Sequence, residues 1–264
     1  MLLEQAERLV ALCFEHPLVI ECYKRGDKLS SNQTKHDIGH AFEVLAVGYK
    51  ALEIVDALNP NLLDEWERKV ILPLGLFLHD IGRCINVDKH DVAGAQWVME
   101  NLPNIKIDGQ ALPLEIIKRV ARIVACHRTS RYVKVNFHEP ALDIVIIADK
   151  CVGDEARVRW QRRLVYWFLT AIGLPSKGDH MREGDIHDRI NYGIKSSDFG
   201  LDGNTMVLRM SVDRRVCSDK EIYELYGDRY HCVVIAANKL GFGFELEFDG
   251  QRMCEEAEGN WRLR

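Results

Sequence analysis

"LPLGLFLHDIGRC", Leu72–Cys84, is an almost continuous apolar run that stops at a histidine followed by an aspartate. The apolar part of this segment is too short to cross a bilayer and is typical of a buried helix. Burying an imidazole beside a carboxylate is costly unless hydrogen bonds or a cation compensate both groups. His79 and Asp80 therefore need partners from other parts of the chain.

Four further residues stand at the ends of predicted apolar helices and could supply those partners. His40 starts the apolar part of one predicted helix, His90 opens another, His127 ends "IVACH", and Asp149 ends "DIVIIAD". A single histidine on an apolar face is usually a hydrogen-bonded core residue, whereas a buried aspartate without a partner is rare. Because all of these residues stand at helix ends, the joint pattern predicts one shared polar site.

Helical periodicity dominates the first two thirds of the chain. Pro17 closes the first predicted helix, and Pro73 must kink or restart the helix predicted over Leu63–Ile81. Other helices are predicted from near His36 to Asn59 and in the segments "HDVAGAQWVMENL", "PLEIIKRVARIVACH", "PALDIVIIADKCV" and "RWQRRLVYWFLTAI". These patterns predict a mainly α protein whose helical domain covers residues 1–198.

The pattern changes after about Phe199. "NTMVLRMSVD" and "FGFELEFDG" alternate with the period of strands, and they flank a long amphipathic helix that ends at Gly241. The charged tail after Gly250 is expected to fray. Residues 199–264 are therefore predicted to form a small C-terminal α+β appendage with strand-helix-strand order.

The order H…HD…H…H…D resembles the HD superfamily of metal-dependent phosphohydrolases, over roughly Thr34–Val152. The segments "GHAFEV", "FLHDIG" and "IIADK" match its defining positions, which here are His40, His79, Asp80 and Asp149. His90 in "KHDVAGAQWV" and His127 in "IVACH" match the two extra histidines of members that bind two metals. His36 lies one helical turn before His40 and could be the first ligand instead.

The resemblance implies an HD-domain helical bundle with one or two divalent transition metal ions. His40, His79 and Asp149 would hold the first ion, His90 and His127 the second, and Asp80 would contact both. Nitrogen and carboxylate ligands suit Mn, Fe, Co, Ni or Zn. Positive residues beside the ligands would hold a phosphate, and the candidates are Arg83, Arg128 and Lys150. Asp80, Arg83 and Lys150 are the predicted catalytic residues.

The function implied is hydrolysis, by a metal-activated water, of a phosphate ester in a nucleotide or other small phosphorylated metabolite. Two alternatives stay open: a di-iron oxygenase, and a regulatory module that senses a nucleotide with little turnover. The pocket walls that select a substrate cannot be read from the sequence.

Composition limits the partners and the compartment. The 264 residues carry a net charge of −5, which argues against a broad nucleic-acid surface, and "RVRWQRR" is interpreted as a solvated helix face. The eight cysteines include no CxxC, and charges interrupt the N-terminal apolar stretch, so a reducing cytoplasm and no membrane association are expected. A homodimer through the C-terminal appendage is predicted from the apolar stripe on its helix, although docking within one chain satisfies the same pattern.

Overall fold

Helices form most of the chain, and a small sheet lies at its C-terminal end. The computed structural model describes residues 1–31, 34–173, 183–257 and 260–264. This part of the chain divides into two compact units, the first made of Met1–Ser30 with His36–Asp149 and the second of Ser31–Lys35 with Lys150–Arg264. None of the described helices combines the length and the hydrophobicity needed to cross a membrane.

The first unit is helical. Its α-helices are α1 (Leu3–Glu15), α2 (Pro17–Leu29), α3 (Ile38–Leu58), α4 (Leu72–Leu78), α5 (His90–Asn101), α6 (Leu114–Cys126), α7 (Thr129–Tyr132) and α8 (Pro140–Cys151), the last of which ends just inside the second unit. Pro17 ends α1 as predicted, but it also begins α2, which the sequence analysis did not predict. Proline is favoured in the first turn of a helix because the N–H that it lacks has no partner there.

The helix predicted over Leu63–Ile81 changes its hydrogen-bond pattern beside Pro73, where a kink or a restart was predicted. A π-helical turn at Glu67–Ile71 leads into α4, where Pro73 occupies the first turn. All seven residues of α4 are buried. After Asp80 a 3₁₀ turn, Ile81–Cys84, brings the chain against α5. The apolar run therefore forms the core helix that carries His79 and Asp80 at its end.

The 3₁₀ turn approaches α5 so closely that only glycine fits at position 82. A Cβ atom added to Gly82 would lie 2.1 Å from the carbonyl oxygen of His90 and 2.2 Å from the backbone nitrogen of Gly94. Real Cβ atoms do not approach backbone atoms to these distances. Gly82 therefore fixes the distance between Asp80 and the helix that carries His90.

We expect Gly82→Ala to lower the free energy of unfolding by about 3 kcal/mol, because backbone atoms of α5 would have to move. Urea denaturation would measure the loss. Gly153→Ala is the matched control: its added Cβ would meet only the Asn191 Oδ1 atom, at 3.4 Å, so its stability should stay within about 0.5 kcal/mol of the natural protein. Equal stabilities for the two variants would contradict the close packing at Gly82.

The second unit combines helices with a five-stranded sheet within the described residues. Its elements are α9 (Trp160–Ala171), α10 (Glu183–Gly193), β1 (Ile194–Asp202), β2 (Thr205–Val212), α11 (Asp219–Lys239), β3 (Gly243–Phe248), β4 (Gln251–Ala257) and β5 (Asn260–Leu263). The strands lie in sequential order, with β2 and β3 parallel and the other pairs antiparallel. Parallel neighbours need a crossover, which α11 provides.

The predicted strand-helix-strand unit is β2, α11 and β3, but the sheet of the described residues has more strands than predicted. The sheet begins at Ile194 rather than after Phe199, and the tail expected to fray forms β4 and β5. Charges in this tail are paired across the sheet: Arg252 Nε lies 3.1 Å from Glu247 Oε2, and Arg264 Nη1 lies 2.6 Å from Glu245 Oε1. Both ion pairs join the tail to β3, so its charges have partners within the sheet.

The two units divide at Asp149, whereas the predicted domain boundary lies at 198/199. Within the second unit, α10 packs against β1 and α11, so the helices after Lys150 belong with the sheet. On α11, Ile222, Tyr226, Tyr230 and Val233 are buried within this one chain. The apolar stripe of α11 is therefore buried within a single chain. A homodimer stays a prediction, but this stripe is no longer an argument for it.

Candidate metal centre

One carboxylate oxygen of Asp80 faces the first pair of histidines. Asp80 Oδ2 lies 3.9 Å from His40 Nε2 and 3.6 Å from His79 Nε2. His40 is on the first turn of α3, and His79 directly follows the last residue of α4. Their helices thus bring both imidazoles to the same oxygen atom.

The other oxygen of Asp80 faces the second pair. Asp80 Oδ1 lies 3.2 Å from His90 Nε2, at the start of α5, and 3.7 Å from His127 Nε2, just beyond the end of α6. In each of the two groups, one around His40 and His79 and one around His90 and His127, the ligand atoms lie within 4.8 Å of one another. Asp80 is the residue common to both groups.

Asp149 completes the first group from α8. Its Oδ1 atom lies 3.8 Å from His40 Nε2 and 3.7 Å from His79 Nε2. All six residues predicted as ligands are therefore brought together, and all six are buried.

Backbone carbonyls orient three of the four imidazoles. The Nδ1 atoms of His79, His90 and His127 lie 2.8, 2.7 and 2.7 Å from the carbonyl oxygens of the residues three positions earlier, Leu76, Val87 and Val124. A carbonyl oxygen only accepts, so each Nδ1–H donates and each Nε2 keeps its lone pair toward Asp80. Metal-binding histidines are commonly held in this way.

The electrostatics of the site favour an ionised Asp80 beside neutral His79 and His90. Burial opposes ionisation of Asp80, but the Arg83 guanidinium outweighs it and holds the pKa of Asp80 well below its usual range. Burial also lowers the pKa of His79 and lowers that of His90 to about 4. Neutral imidazoles and a carboxylate are the protonation states that bind metals.

Arg83, predicted to hold phosphate, is buried beside Asp80. Its Nε atom lies 3.0 Å from Asp80 Oδ1, and its Nη1 atom donates to Ser30 Oγ at 3.4 Å. Arg83 is three residues after Asp80, and a 3₁₀ turn brings residues with this spacing to the same side of the chain. The guanidinium thus neutralises and orients the shared carboxylate.

The other two predicted phosphate residues lie beside ligands in the chain. Arg128 follows His127, donates to the carbonyl oxygen of Asp88, and has an Nη1 atom 3.7 Å from Asp91 Oδ1. Lys150 follows Asp149 in α8 and is partly exposed. Contact with a phosphate stays a prediction for both residues.

The geometry favours His40 over His36 as the first ligand. Asp37 caps α3, accepting a hydrogen bond from the backbone N–H of His40 at 3.2 Å, so His36 lies before the helix. The backbone N–H of His36 donates to Asp27 Oδ1 at 3.0 Å, and the His36 ring lies 5.7 Å from the His40 ring. An aspartate just before an apolar helix is an N-cap signal. In the sequence, Asp37 could therefore have shown that His40 lies in the helix and His36 before it.

The residues present fit a metal ion. His79 Nε2 is buried and has no hydrogen-bond partner among the described residues, although a polar atom in such a position normally has one. The buried groups of His40, His79, Asp80, His90 and His127 could hold a metal ion. Their nitrogen and oxygen atoms suit first-row transition metals better than Mg²⁺ or Ca²⁺.

We expect the metal-free protein to lose stability in mild acid. In the unfolded chain His90 is protonated below its ordinary pKa of 6.5, whereas in the folded chain its pKa is about 4. Between these two pH values the unfolded chain binds more protons than the folded chain, so the free energy of unfolding falls as the pH falls. The loss attributable to His90 should be about 2 kcal/mol between pH 7 and pH 5. Urea unfolding in EDTA would measure it, and His90→Gln should remove that part of the slope. An unchanged slope in the variant would contradict the buried neutral state of His90.

Comparisons with known proteins do not identify a family for this chain. A scan against protein-family models and a search of curated proteins both find no match.

Proposed function

We propose that the protein is a metal-dependent phosphohydrolase of the HD type, acting on a phosphate ester of a nucleotide or another small phosphorylated metabolite. The observation that carries the proposal is the position of Asp80 between two pairs of histidines, with a different carboxylate oxygen toward each pair. This arrangement suits a carboxylate that bridges two ions, and two-metal sites are characteristic of phosphatases and nucleases.

The ligands divide into two sets in this proposal. His40, His79 and Asp149 would hold one ion, His90 and His127 the other, and Asp80 both. When bound, ions of this kind neutralise charge on phosphoryl oxygens and make a coordinated water acidic enough to react near neutral pH.

The remaining side chains hold the ligands and bind substrate. Arg83 keeps Asp80 ionised and oriented, so it is proposed as a positioning residue rather than a phosphate ligand. Arg131 Nε lies 2.9 Å from Asp91 Oδ2, and this ion pair tethers the start of α5, next to His90. Arg128 and Lys150 are proposed to contact the substrate phosphate, because each directly follows a ligand and each is at least partly exposed.

The proposal is tested with protein purified without chelator and loaded with Mn²⁺, Co²⁺, Ni²⁺ or Zn²⁺. Release of phosphate or nucleoside from a panel of nucleotides, and hydrolysis of a nitrophenyl phosphodiester, should depend on the metal. No turnover with any of these metals would contradict the proposal. Dioxygen consumption by an iron-loaded sample would instead favour an oxygenase, and nucleotide binding without hydrolysis would favour a sensing module.

A further inference from the structure

Helix α9, in the second unit, exposes an unusual number of large apolar side chains. Of its twelve residues only Tyr166 is buried. The helix and the residue after it expose half or more of the side chains of Trp160, Leu164, Val165, Trp167, Phe168 and Ile172. Exposed apolar patches of this kind usually mark a binding site.

One face of α9 forms a wall of a cavity of about 690 Å³. Trp160, Arg163 and Trp167 line it from the helix, and Tyr192, Lys195 and Arg215 line it from the following elements. Every lining residue belongs to the second unit, so the cavity shares no residue with the candidate metal centre. Its volume lies within the range of small-molecule sites.

Of the three cations that line the cavity, Arg163 has the weakest contact with a carboxylate. Arg215 makes two hydrogen bonds to Asp213, at 2.9 and 2.7 Å. Lys195 donates to Glu155 Oε2 at 3.0 Å and lies 3.7 Å above the centre of the Tyr192 ring. The Arg163 Nη2 atom is 3.6 Å from Glu155 Oε1, beyond hydrogen-bond distance. Three cations face two carboxylates, so the lining carries an excess of one positive charge.

We infer that this cavity binds a free nucleotide, with the base on the indole of Trp167 and the phosphate at Arg163. Trp160 and Trp167 are seven residues apart, or about 10 Å along the helix, and Arg163 lies between them on the same face. Stacking on an aromatic ring accepts any base, and a guanidinium matches the geometry of a phosphate. A purely apolar ligand would displace water from the three cations and offer them no hydrogen-bond acceptor, which is unfavourable.

The test is isothermal titration of the full chain, stripped of metal with EDTA, with AMP, GMP, CMP and UMP. We expect binding at one site per chain, and weaker binding of adenosine and of ribose 5-phosphate, since each lacks half of the recognised chemistry. Trp167→Ala and Arg163→Gln should each weaken AMP binding about ten-fold.

Two variants serve as matched controls. Phe168 is next to Trp167 and similarly exposed but does not line the cavity, and Arg159 lies on the same basic segment outside it. Phe168→Ala and Arg159→Gln should leave AMP binding within about two-fold, and circular dichroism checks that all four variants fold. No binding of any mononucleotide at millimolar concentration, or equal effects of Trp167→Ala and Phe168→Ala, would overturn the inference. Binding only of a ten-nucleotide strand would also overturn it, in favour of a nucleic-acid surface.

Discussion

Asp80→Asn is expected to abolish turnover and to lower metal affinity at least about 100-fold, because Asp80 is the one residue common to both groups of candidate ligands. The amide keeps an oxygen near Arg83 Nε, so the fold should survive. Metal content after equilibrium dialysis, phosphate release, and circular dichroism would measure the three expectations.

Asp143→Asn is the matched control for this change. Asp143 is as buried as Asp80 and lies in the same unit, but its Oδ1 atom accepts a hydrogen bond from the Tyr132 hydroxyl at 2.5 Å. It belongs to neither candidate group, so its variant should keep metal and activity. Full activity of Asp80→Asn would show that the assignment of the metal centre is wrong.

His90→Ala and His127→Ala should each remove about one metal ion per chain and strongly reduce the rate. Both imidazoles face the same oxygen of Asp80, and two ions would share the stabilisation of phosphoryl charge. His138→Ala is a suitable control, because His138 is exposed in the same unit. Elemental analysis of the dialysed variants gives the ion count.

A different outcome would revise the two-ion assignment. If the ion count stayed constant in both variants while the KM for substrate rose, His90 and His127 would contact phosphate around a single ion. If neither the ion count nor the rate changed, the second group would have no role in metal binding or in catalysis.

The candidate site was predictable because each of its six residues stands at or near one end of a helix in the sequence pattern. A buried polar residue at such a position needs a partner, and the structure gathers all six within one unit. The contact of Arg83 with Asp80 was not predicted, because position in the sequence does not distinguish an arginine that faces a phosphate from one that pairs with Asp80. The backbone carbonyls that orient the imidazoles were missed, although His79 and His127 at helix ends are positioned to donate to the last turn.

The helical part of the fold was better predicted than the sheet. The strands β2 and β3 alternate clearly and pair in parallel, with Met206 opposite Phe244 and Leu208 opposite Leu246. In contrast, β4 is mostly polar, and its charges are paired only after the chain folds back on β3. The alternation of apolar and polar residues along one segment cannot reveal a strand whose charges are paired with another strand. The same limit applies to the cavity beside α9, because Tyr192, Lys195, Asp213 and Arg215 also line it and follow the helix by more than twenty positions.

The central proposal is that Asp80 would hold two metal ions. The most direct measurement is anomalous diffraction from crystals grown with Mn²⁺, recorded near the manganese absorption edge. The account predicts two peaks about 3.5–4 Å apart, one among His40, His79 and Asp149 and one between His90 and His127, with an Asp80 oxygen on each. A single peak, or no peak beside Asp80, in crystals grown at a saturating Mn²⁺ concentration would contradict it.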